Sequence, residues 1–281
     1  MRRGISLVAA ATLAAGAALT SQGPASAGTA DVQTVAVQTV NGTVNLSHSM
    51  VDPGRVQFVV AGGSSVTMFQ PINGATVKQF FHDLSEEFSR DPAIAAQGTR
   101  DLNRDAKVYG LADPEPGQTL TVTENLTPGR YFLFDSNITS PAIPPVSVLR
   151  VRPGAESASL APAAAATVLM TSQDRFVAPP ALPAQGTIRV RNVADTLHFA
   201  DLSPVAPGTT DADVQAFFDG TGPPPFIQGP GASMEPLSAG QQAELGYRLP
   251  AGDYVLLCFI ADDVTGLPHA LMGMHLVVHL G

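Results

Sequence analysis

Two stretches of this chain, LTPGRYFLFDS and LPAGDYVLLCF, are versions of one another, with Gly252 over Gly129 and Tyr254 over Tyr131. An internal repeat limits the fold more than any single motif does. Other pairs fall in the same order around it: VTMFQPI with TLHFADL, ATVKQFF with DADVQAFF, and VSVLRVRP with MHLVVHL. The period is far longer than that of a solenoid array, so the chain reads as two homologous domains, 32–153 and 165–281. Residues 154–164, GAESASLAPAA, are small and aperiodic and read as the linker between them.

Within each domain the apolar runs are short. VQTVAVQTV and GTVNLSHSM alternate with period two, the pattern of a half-buried strand. RVQFVVAG, SVTMFQPI and the pair of strands about Pro128-Gly129 continue it. Between them Val77, Phe80, Phe81, Leu84 and Phe88 recur at helical spacing, which predicts one amphipathic helix. Only 14% of residues are charged, while Gly and Pro number 26 and 24, so turns are many and charged helical faces few. The expected fold class is all-β: two Greek-key β-sandwiches of six to eight strands, each with a short crossover helix.

The N-terminus reads as a secretory signal over residues 1–27. Arg2 and Arg3 precede an apolar run from Ile5 to Leu19, and Ala25-Ser26-Ala27 gives a small-residue cleavage site near Ala27. Its removal takes away two arginines and no acids, lowering the formal charge from −9 to −11. So acidic a protein is a poor partner for nucleic acid or an anionic membrane. The expected product is an extracytoplasmic protein with no membrane span.

One cysteine, Cys258, lies in the mature chain, so no internal disulfide can form, and an exported free thiol must be buried or metal-bound. Strand alternation puts Tyr254, Leu256, Cys258 and Ile260 on one face and Val255, Leu257 and Phe259 on the other. Taken alone, a cysteine there is more often a small core hydrophobe than a ligand. His269 follows Pro268 in a loop, and Gly273-Met274 comes five residues later; His198 lies in TLHFADL. A thiolate, two imidazoles and a thioether make a soft donor set suited to copper, in which two His and a Cys take a weak axial Met. Met272 is a rival for that axial place. His275 and His279 share the other face of the last strand and read as outward-facing; His48 and His82 read as solvent-facing.

These residues carry a resemblance. GDYVLLCF, then Pro268-His269, then Gly273-Met274, resembles the C-terminal ligand loop of the cupredoxins, and RNVADTLHF resembles their first ligand segment, where an Asn precedes the His. The resemblance implies one copper in the second domain, held by His198, Cys258, His269 and Met274. It covers the second domain well and the first only in scaffold, where Asp135 stands in place of Cys258 and Met68 in place of His198. The chain departs from the family in its spacer, FIADDVTGLP, ten residues against the usual few. The implied function is an exported copper protein with a type-1-like site, for electron transfer or copper handling, working with a redox or copper-handling protein partner. The alternative is a metal-free interaction module that keeps the scaffold. Neither is an enzyme: the chain has no nucleophile–base motif, no phosphate-cradling loop, and none of the His-x-His pairs of a multicopper oxidase.

Overall fold

The computed structural model describes residues 32–137, 143–157 and 159–281; the signal segment lies outside them. The first half forms β1 (Gln33–Val40), β2 (Thr43–Leu46), β3 (Met50–Val51), β4 (Gly54–Ala61) and β5 (Val66–Pro71). Helices α1 (Val77–Glu87) and α2 (Pro92–Asp105) follow, then β6 (Ala106–Tyr109), β7 (Ala112–Asp113), β8 (Thr119–Leu126), β9 (Gly129–Asp135) and β10 (Ser147–Val151). The second half forms β11 (Ala166–Thr171), β12 (Arg175–Val177), β13 (Ala181–Leu182), β14 (Gln185–Asn192) and β15 (His198–Pro204). It ends with α3 (Asp211–Phe218), β16 (Ala232–Leu237), β17 (Gln242–Arg248), β18 (Gly252–Leu257) and β19 (His275–Leu280).

Two of the sheets have corresponding strand orders. One sheet runs β3-β10-β9-β5-β6 and another β13-β19-β18-β15-β16-β7, so each element of the first has its counterpart in the second. The remaining strands do not stay apart. They join in one eight-stranded sheet, β12-β11-β14-β17-β8-β4-β1-β2, in which β17 pairs antiparallel with β8 at the centre. Buried side chains of that sheet, such as Phe58 and Leu245, meet those of both smaller sheets in a continuous core. The fold is thus an all-β sandwich, with a seam of backbone hydrogen bonds uniting the halves. At that seam Glu244 takes Arg189 at 3.2 Å and Arg55 at 3.5 Å. The interdomain segment is strapped down as well: the Ser157 N–H donates to Pro53 O at 2.8 Å.

The helices start where the sequence offers caps. Thr76 accepts from the Gln79 N–H, Asp91 precedes Pro92 and accepts from the Ala93 N–H, and Thr210 and Asp213 form a capping box. Phe80 of α1 stacks on Phe69 of β5 with ring centroids 3.6 Å apart. Phe88, read as part of the same apolar stripe, is instead 75% exposed. The second helix of the first half, α2, is an addition to the single crossover helix expected there.

The strand register corrects one equivalence. Asp135 pairs with Val66, and continuing the β15–β18 register places Cys258 level with Ala200. Ser64, rather than Met68, is therefore level with His198. Met68 lies deeper in the core, fully buried.

Candidate metal centre

β15 and β18 are antiparallel neighbours, with Asp201 opposite Leu257. That adjacency brings His198, the first residue of β15, beside Cys258, the first residue after β18. The Cys258 Sγ lies 3.7 Å from His198 Nδ1 and 3.7 Å from His269 Nδ1. All three side chains are fully buried, and their ligand atoms lie within 4.8 Å of one another. A point equidistant from three atoms so spaced is about 2.0–2.4 Å from each. Thiolate and imidazole bonds to a first-row metal are about 2.0–2.3 Å long, so the triangle is of the right size for one ion.

Met274 is also fully buried, in the same core cluster as Cys258, and its N–H donates to His269 O at 2.9 Å. Met272 is turned elsewhere: its Sδ accepts from Thr265 Oγ1 at 3.4 Å. His275, read as outward-facing, is covered. It lies against α3, with Nδ1 3.2 Å from Asp211 and Nε2 3.0 Å from Gln215, because α3 crosses that face of β19. His279 and His82 are 60% exposed, and His48 is exposed as well.

The long spacer closes on itself. Asp262 Oδ1 accepts from the Val264 N–H at 3.2 Å, an Asx turn, and from the N–H and hydroxyl of Thr265 at 2.6 and 2.7 Å. The Asp262 N–H donates to Leu267 O and the His269 N–H to Ile260 O, at 2.9 and 3.0 Å. His269 is thereby folded back over Cys258, whose own carbonyl accepts from the Ala270 N–H at 2.7 Å.

The first half holds both ligand loops. Glu87 at the end of α1 accepts from the Ala261 N–H at 3.0 Å, and Thr99 of α2 donates to Ala261 O at 2.8 Å. Arg100 donates to Asp263 O. Gly266 (φ +71°) passes so close to the start of α2 that a Cβ would meet Pro92 O at 1.8 Å, so this turn admits only glycine. On the other loop, Asn103 of α2 donates to Thr196 Oγ1 at 2.7 Å and accepts from the Leu197 N–H at 3.0 Å. Asn192 completes that loop from within, bonding Thr196 O and Leu237 O at 2.7 and 2.8 Å.

Electrostatics keep the donors neutral without metal. Burial pushes the Cys258 thiol up to about 12. It lowers His198 to about 3, with His269 adding to the effect, and lowers His269 to about 4 against the pull of Asp262. Both Nε2 atoms are buried without a hydrogen-bond partner. One carboxylate atom, Asp174 Oδ1, lies 3.6 Å from each, and Asp262 Oδ2 stands 3.9 Å from His269. With Nδ1 committed to a metal, each Nε2 carries the proton and faces that carboxylate, the arrangement that fixes a ligand's tautomer and orientation. Asp174, Glu87, Thr99 and Asn103 carry no local sign of this role. Asp174 sits in a tight turn between β11 and β12 (φ +51°), legible only as a turn.

No protein-family model matches the chain, and no curated protein matches it. Among solved structures, auracyanin B is similar over 44% of this chain and 92% of its own, at 20% identity and a TM-score of 0.28. Dithionite-reduced auracyanin from Roseiflexus castenholzii is similar over 42% of this chain and 99% of its own, at 20% identity and a TM-score of 0.26. The copper nitrite reductase from Nitrosomonas europaea is similar over 89% of this chain and 94% of its own, at 13% identity and a TM-score of 0.24. Likenesses at these scores carry no weight beside the strand order and the side-chain geometry. Among the described residues no helix is long and apolar enough to cross a membrane.

Proposed function

We propose that this chain is an exported copper protein built from two cupredoxin-like units, with one mononuclear type-1-like centre in the second. The observation that carries the reading is the meeting of Cys258 Sγ with the Nδ1 atoms of His198 and His269, 3.7 Å apart. Those three residues would hold the ion, with the thioether of buried Met274 as a further soft donor. A copper ion bound there supplies one-electron chemistry. The residues around it do the rest. The buried thiol gives up its proton on loading, so binding releases a proton. The hydrogen-bonded loops keep the donors in one geometry, so little rearrangement accompanies a change of charge, and the full burial of all three keeps bulk water from them. The Asp174 and Asp262 carboxylates orient the imidazoles.

The role is electron transfer or custody of copper rather than catalysis, with a redox or copper-handling protein as partner. The first unit, whose Asp135 replaces the thiol, serves as the clamp on the ligand loops. The test is metal analysis of the exported protein with visible spectroscopy. One copper per chain and an intense thiolate-to-copper band are expected, and Cys258→Ser should abolish the band while leaving the fold intact. A purified protein that takes up no stoichiometric copper under oxidising or reducing conditions would overturn the reading in favour of a metal-free module.

A further inference from the structure

The outer edges of the two ligand histidines converge on a second set of donors. His269 Nε2 lies 3.6 Å from Asp174 Oδ1 and 3.9 Å from Asp262 Oδ2. One ligand atom from each of these three residues lies within 4.8 Å of the other two. His198 Nε2 faces the same Asp174 oxygen, also at 3.6 Å. Such separations are too long for direct hydrogen bonds. Two metal bonds of about 2.0–2.2 Å, one to imidazole and one to carboxylate, span them when they meet at an open angle.

The donors are free and held in place. His269 is fully buried, and its Nε2 has no hydrogen-bond partner. Asp262 is anchored through Oδ1, by Val264 and Thr265, which leaves Oδ2 for a ligand. Among the described residues no donor bonds the Asp174 carboxylate, yet neither of its oxygens is sealed from solvent as the Nε2 atoms are. The Asp174 and Asp262 side chains are 22% and 12% exposed, so the set reaches solvent on its carboxylate side. The charges of Asp262, Asp263 and Asp195 all press on Asp174, against that of Arg175. Arg175 is turned to the backbone instead, its Nη1 donating to Asp174 O at 2.7 Å. A divalent ion among these carboxylates would offset their repulsion.

We propose that Asp174, Asp262 and His269 form a second, outer site for a divalent cation that favours oxygen and imidazole donors, and that this site and the thiolate site are filled in alternation. The two differ in kind: carboxylates suit harder ions such as Mn2+, whereas the inner thiolate selects softer ones. They share His269, and a neutral imidazole has one free lone pair. An ion on Nε2 leaves the ring proton on Nδ1, facing Cys258 Sγ at 3.7 Å. An ion on Nδ1 puts that proton on Nε2, facing Asp174. The outer site stands on its own donors; the alternation rests on the copper reading.

Mn2+ is the probe, because its preference is for carboxylate over thiolate. Titration of the metal-free mature protein, followed by loss of the free-ion EPR signal, should show one Mn2+ per chain, saturating at submillimolar concentration. Asp262→Asn keeps Oδ1 as the acceptor for Val264 and Thr265 and removes the ligating oxygen. Loss of a carboxylate that merely orients a ligand costs about 10- to 100-fold, so this loss of a ligand should weaken Mn2+ at least about tenfold. Cys258→Ser should keep the Mn2+ site. One equivalent of Cu(I) should return the bound Mn2+ to the free signal. No saturable Mn2+ on the unaltered chain, or equal affinity in folded Asp262→Asn, would overturn the outer site. Mn2+ retained beside bound Cu(I) would overturn the alternation. A chain that takes up no copper yet binds Mn2+ through Asp262 would end the copper reading and leave the outer site standing.

Discussion

Replacing Thr99 by valine asks whether the first half of the chain holds the metal centre of the second. Thr99 is fully buried, and its hydroxyl donates to Ala261 O at 2.8 Å, across 162 residues of sequence. Valine keeps the shape and branching but removes the donor. Ala261 is itself 4% exposed, so its carbonyl is left in a dry place without that bond. An unsatisfied buried acceptor costs about 1–3 kcal/mol. The loop of Ala261 is the element free to relieve the cost by opening toward water, and it carries His269. With partial relief, about 1–2 kcal/mol should reach the site, which corresponds to copper binding weakened about 5- to 30-fold. Competition against a copper chelator of known affinity measures this, alongside the melting temperature of the metal-free protein. Copper affinity equal to the wild type's, with only the melting temperature lowered, would show that α2 supports the fold but not the site, and the clamp argument would fail.

Asp174→Ala should weaken copper binding about tenfold or more, as loss of a carboxylate behind a histidine ligand does, and Asp174→Asn should recover part of the loss by keeping an oxygen acceptor; equal affinities in all three proteins would remove Asp174 from the site. The stability of the metal-free protein should pass through a maximum at about pH 4.5. Buried Glu124, raised well above its ordinary range, together with Glu87 at about 7 and Asp113 at about 6, keeps protons that the unfolded chain has lost. Stability therefore falls as pH rises from about 4.5. His198 and His269, at about 3 and 4, refuse protons that unfolded imidazoles take up below about 6.5, so their contribution falls as pH drops and outweighs that of the carboxyls below about pH 4.5. Thermal melts from pH 3 to 9 check both limbs, Glu124→Gln should flatten the alkaline one, and a monotonic rise above pH 6.5 would contradict the assignment. Phe80→Ala should cost about 3–5 kcal/mol in urea unfolding, because it empties the centre of the Phe69–Phe81–Phe134 cluster; a loss under 1 kcal/mol would mean that the cluster repacks.

The sequence by itself determined the strands, the repeat and the donor types. Period-two alternation in β1 and β4, and the glycines and prolines between runs, are local records of which face is buried. Cys258, His269 and Met274 were legible as candidate donors because their chemistry falls within one short stretch. The second helix was not. Apart from Leu102 and Asp105 in its last turn, its buried face is made of small side chains, Ala95, Ala96, Gly98 and Thr99, which leave little hydrophobic period. They are small because α1 lies against them: a Cβ on Gly98 would meet the Glu87 backbone nitrogen at 2.2 Å. What only the tertiary structure decided was the joining of the sheets through β8 and β17, the clamp on the loops and the place of Asp174. The Glu87–Ala261 bond spans 174 residues, and Asn103 reaches Leu197 across 94. Periodicity and spacing describe a residue's own element and its turn. A polar partner supplied by another element is selected by packing, which no local pattern records.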